Sequence, residues 1–176
     1  EPPEGVLLLL TADSLAGVLP TIRSRCISFA VAPVSPEDCA RYCTAQGVGA
    51  KDAALYSALF DGHIGTVLAA ARDEARREQV DRALALAKAA AARDSYAAAV
   101  LLAVYEKDKA GASALLADFR AVAAAGLRDS PHSPVEGETA RKALGAADAA
   151  MQQISAQVNP KIVLSVLAAL LVLLPL

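Results

Sequence analysis

The chain has 176 residues, 55% of them hydrophobic, and a net charge of -2 at pH 7. That length makes one large domain or two small ones and supplies enough apolar side chains for a sizeable core. The slightly acidic balance excludes bulk electrostatic attraction to nucleic acid, and 4% aromatic content with no Trp excludes a stacking platform for single strands.

The opening Glu1-Pro2-Pro3-Glu4-Gly5 reads as a connector with no initiator Met, so the chain is expected to be a fragment of a longer protein. Residues 6–10 are a continuous apolar run, the pattern of a strand buried on both faces. Thr11 stands at the carboxyl end of that strand, where open α/β sheets bind ligands. Asp13 is expected to cap a short helix over 14–19, which Pro20 interrupts before another turn over 21–25. Residues 26–31 read as a second short strand, and Pro33 and Pro36 bracket a linker.

Ser35 followed by Pro36, Glu37 and Asp38 is a helix start, and that helix is predicted to run to about Gln46 and stop at Gly47. Further helices are predicted over 51–60, ending at Gly62, and over 64–71, giving a three-helix bundle. Longer Ala- and Leu-rich helices follow over 74–93, 95–107, 111–128, 137–157 and 161–174, with a loop at 129–134. Charges at Arg72-Asp73-Glu74 and Arg76-Arg77-Glu78 are expected to form a solvated helix face. The last 15 residues hold only Ser165 as a polar group, short of the ~20 apolar residues of a membrane span. A buried helix or subunit contact is expected there, with a truncated membrane helix as the other reading.

The three cysteines are Cys26, Cys39 and Cys43. Their odd number and the absence of a signal pattern point to a reducing cytoplasm. Cys39 and Cys43 share a helix face and are expected to be buried structural thiols, not a metal site. His63 is expected to be an exposed helix-start residue and not a ligand. The phosphate-binding pattern G-x-x-x-x-G-K-[ST] is absent, and no Ser-His-Asp, Cys-His or paired-carboxylate arrangement stands out.

The run Leu19-Pro20-Thr21-Ile22-Arg23-Ser24-Arg25-Cys26 resembles the Ser-Arg-Cys motif of bacterial clamp-loader subunits, AAA+ proteins of DNA polymerase III. The opening five residues resemble the turn before the sensor-1 strand of that family, which would make Thr11 the sensor-1 position. The resemblance implies that Arg25 is an arginine finger acting on ATP held by a neighbouring subunit. Ser24 and Cys26 would fix its backbone, with Arg23 a supporting or exposed basic residue. A guanidinium suits that task because its charge is permanent and its fork binds phosphate oxygens bidentately.

Gly62-His63-Ile64-Gly65-Thr66-Val67-Leu68 resembles the family's sensor-2 run, but Gly65 stands where ATP-hydrolysing subunits carry Arg. That departure resembles the delta-prime type, which keeps the trans-acting finger and lacks its own ATPase. Arg72 is a possible substitute for the missing charge. Asn159-Pro160-Lys161-Ile162 resembles the start of the last long collar helix. The implied fold is mostly α: a remnant of an AAA+ α/β core with one or two short strands over 1–32, a helical lid over 33–72 and an all-α collar over 73–176. The implied function is a non-hydrolysing stator, itself inactive, holding no cofactor or metal. Its implied partners are the gamma/tau and delta subunits and, through the complex, the sliding clamp and primed DNA, with no membrane. A gamma/tau-type ATPase and a helical scaffold or membrane-tethered protein are the alternatives.

Overall fold

The computed structural model describes residues 3–12, 14–32 and 34–172. The expected cap at Asp13, the linker residue Pro33, the opening Glu1-Pro2 and the tail beyond residue 172 lie outside the described residues. Two compact units are present, Glu1–Ala32 and Pro33–Leu176. The chain is mostly α-helical, and no strand forms among the described residues.

In the first unit the Val6 N–H closes a turn onto the Pro3 carbonyl at 3.1 Å. Both strands expected from the sequence are corrected here. Residues 6–10 and 26–31 have no regular secondary structure, and Leu7 and Leu9 are 82% and 85% exposed. A strand needs a neighbour to take its N–H and C=O groups, and this unit offers no ladder partner to either run. The short helix expected over 14–19 is only a 3-10 turn, Leu15–Gly17, whose first turn is capped by the Ser14 hydroxyl accepting from the Ala16 N–H. Pro20 does not interrupt a helix but begins one, α1 (Pro20–Arg23), where its missing N–H costs nothing.

The second unit is a helical assembly. Its first three helices are α2 (Pro36–Ala45), α3 (Ala50–Leu59) and α4 (Ile64–Arg72). Ser35 caps α2 by accepting from the Asp38 N–H at 3.1 Å. Past its end, the Gly47 and Val48 N–H groups return to the carbonyls of Thr44 and Cys43. Cys39 and Cys43 lie on the inner face of α2 and are fully buried, and burial pushes the Cys43 thiol pKa up.

Five further helices follow: α5 (Glu74–Ala92), α6 (Ser95–Ala103), α7 (Lys109–Leu127), α8 (Gly137–Ser155) and α9 (Pro160–Val172). Asp73, Asp94 and Asp108 cap the first three of these through their carboxylates. Asn159 does the same for α9, accepting from the Lys161 N–H at 2.9 Å. The core centres on α7, whose Leu115, Leu116, Phe119 and Val122 are buried against neighbours that include α5 and α8. On α8 the inward stripe is Ala140, Ala143, Ala147 and Ala150, all buried. Methyl-sized knobs at that spacing let α7 and α8 pack closely along their length. A larger side chain has no room there: Ala143→Leu is expected to cost ~1–3 kcal/mol of stability, read as a lower urea midpoint at unchanged slope.

By length and composition α7 is the one helix among the described residues apolar enough to cross a membrane. Half of that stretch is buried within the chain, and Asp118 and Arg120 in its middle pair with Arg76 and Asp148. These are the features of a core helix.

Candidate functional site

The residues of the Ser-Arg-Cys run form one turn and its exit. The Leu19 carbonyl accepts from the N–H groups of Ile22 and Arg23, and the Pro20 carbonyl accepts from that of Ser24. The Arg25 N–H continues the winding onto the Ile22 carbonyl at 3.0 Å. The Ser24 hydroxyl donates to the Thr21 carbonyl at 3.2 Å, tying the side chain back to its own turn. Cys26 is an exposed free thiol. Arg23 and Arg25 are both exposed, and Arg25 makes no side-chain hydrogen bond or ion pair among the described residues. Beside it a shallow dent of about 460 Å³ is lined by Pro20, Arg23, Ser24 and Ser28. Thr11 lies in the exposed extended segment, and no hydrogen bond joins it to the Arg25 turn among the described residues. The first unit therefore presents a guanidinium to solvent on a short hydrogen-bonded turn, with no charge partner among the described residues.

The second run of interest surrounds the start of α4. His63 is exposed and precedes the helix; its Nδ1 is 2.6 Å from the Phe60 carbonyl, so Nδ1 carries the proton and donates. Gly62 is fixed by its surroundings. Its φ is +74°, and a Cβ there would collide with the Val34 carbonyl. Gly62→Ala is expected to destabilise the second unit by ~1–3 kcal/mol, measured by thermal unfolding. Gly65 is different: it is exposed, and a Cβ there meets nothing within 4 Å. Sterics do not demand glycine at that place. Arg72, at the other end of α4, donates to the Gln46 carbonyl at 3.1 Å and so satisfies the end of α2.

The charged run over 72–78 is not a uniformly solvated face, as the sequence suggested. Arg76 turns inward. Its Nη2 donates to Asp118 Oδ1 at 2.6 Å and its Nη1 to the second carboxylate oxygen, a bidentate pair. The two side chains are 23% and 5% exposed. The guanidinium also lies 5.5 Å from the centre of the Phe60 ring. One arginine thereby ties α5 to α7 and to the end of α3. The hydrogen bonds that Arg76 donates to Asp118 raise the Arg76 pKa further. A signal for this pair is present in the sequence: Asp118 is a lone charge inside the apolar run Leu115-Leu116-Ala117-Asp118-Phe119, and a buried charge needs a partner.

Comparison of the chain with family models, with curated proteins and with solved structures returns no match.

Proposed function

We propose that the chain is part of a delta-prime type subunit of a bacterial replicative clamp loader. Residues 1–32 would be the end of its AAA+ core, 33–72 its lid and 73–176 its collar. The observation that carries the reading is the run from Leu19 to Cys26, with Arg25 exposed on a hydrogen-bonded turn and without a side-chain partner among the described residues. Phosphoryl transfer accumulates negative charge on the γ-phosphate oxygens, and a guanidinium delivered from another subunit stabilises it. An arginine already engaged within its own chain could not be delivered.

Gly65 supports the stator role over an ATP-hydrolysing one. The position has open space, yet it carries no cation to act on a nucleotide held by the same subunit. In this reading the extended, exposed runs 6–10 and 26–31 gain strand neighbours from the rest of the AAA+ sheet. That pairing would bury their leucines and set Thr11 at the sheet edge where sensor 1 belongs. The partners are the gamma/tau and delta subunits, with the sliding clamp and primed DNA reached through the complex, and the compartment is the cytoplasm.

Assembly tests this reading. The complete subunit carrying this chain, mixed with gamma/tau and delta subunits, is expected to elute as one complex in size-exclusion chromatography and to bind no ATP alone. Separate elution rejects the clamp-loader role. Tight ATP binding by the isolated subunit converts the reading to the gamma/tau type.

A further inference from the structure

The solvent faces of α5 and α8 carry charge: Glu78 and Arg82 on one, Glu138, Arg141 and Asp148 on the other. Those of α6 and, beyond Lys161 in its first turn, α9 do not. Residues 95–104 and 162–172 contain no charged residue at all. These two helices pack on each other, and the 3.3 Å ion pair of Lys161 with Glu106 sets the start of α9 beside the end of α6, so they run antiparallel. Tyr96, Val100 and Val104 recur at every fourth position of α6 and the residue after it, with Ile162, Val166 and Leu170 at the same interval on α9. Their exposures run from 44% for Leu170 to 79% for Tyr96. Between them lie only Ser and Ala on the exposed side.

We propose that this α6/α9 face seats the same face of a second copy of the chain. At on the order of 100 Å² per large side chain, six such groups make an apolar patch of roughly 600 Å², the upper end of what monomers expose. Two copies placed face to face remove about 1,200 Å², which reaches the size of a specific interface. Absence of charge between Ser95 and Val104 and between Ile162 and Val172 makes the face complementary to itself, because a two-fold axis through it brings no like charges together. Charge depletion with an aromatic at the patch is also the composition of an interface core. Nothing in this pairing requires the clamp-loader reading.

Sedimentation equilibrium of the 176-residue chain at roughly 50 µM tests it. The expected mass is twice 18.0 kDa. Val166→Lys and Val100→Lys each place two like charges in the dimer seam and are expected to weaken association about 100-fold or more, with helical circular dichroism unchanged. Leu8→Lys, in the exposed run of the first unit, is expected to leave the dimer intact. A monomer at that concentration overturns the proposal, as does a dimer that survives both valine variants or is abolished by Leu8→Lys. Co-sedimentation of the chain with phosphatidylcholine vesicles, lost in Val166→Lys, overturns it in favour of a membrane surface.

Discussion

Asp118→Ala is expected to lower the stability of the helical unit by ~2–4 kcal/mol, among the largest effects of any single polar substitution in the chain. The carboxylate is 5% exposed and holds both terminal nitrogens of Arg76. Removing it leaves a permanent cation three-quarters covered by protein, over a phenyl ring and among the helices of the core. Because Arg76 retains some contact with water, the cost falls toward the lower part of the range for a buried pair. The double variant Arg76→Met/Asp118→Leu removes both charges and replaces them with packable volume. Its stability is expected within about 1 kcal/mol of the parent, so the two changes are strongly non-additive. Urea unfolding of the single and double variants measures the difference. A single Asp118 variant within about 0.5 kcal/mol of the parent would show that the pair carries no structural burden.

The helices were legible because their signals are local. Ser35-Pro36-Glu37-Asp38 starts α2 through a hydroxyl cap, an obligatory φ and acidic groups at the positive end of the dipole. Asn159-Pro160 starts α9 through a carboxamide cap and the same fixed φ, without the acidic groups. Gly47 stops α2 where a left-handed residue is required. Cys39 and Cys43 were readable as one buried face because four residues is about one turn.

What failed was whatever depends on a distant partner. The five apolar residues 6–10 carry the pattern of a buried strand, but pattern does not provide the neighbour that would take their hydrogen bonds, and they stand exposed. Arg76 reads locally as one of several charges on a helix face, and only Asp118, 42 residues away, turns it inward. The Arg25 turn is the intermediate case. Its residues are contiguous, so the motif is visible in the sequence; under the proposed clamp-loader role the charge it would meet belongs to another chain.

That meeting defines the second large effect. In a reconstituted clamp loader, Arg25→Ala is expected to slow ATP hydrolysis at the completed site by ~10³–10⁵-fold while the subunits still assemble. Arg25→Lys keeps the charge but loses the fork, and is expected to recover only a small part of the rate. Arg23→Ala, two residues away, is expected to leave turnover close to the parent. The most direct measurement is steady-state ATP turnover of the assembled loader with sliding clamp and primed DNA, comparing Arg25→Ala with Arg23→Ala. A collapse of turnover confined to Arg25→Ala, in a complex of unchanged mass, is the predicted result. Equal turnover in both variants would contradict the trans-acting role of Arg25.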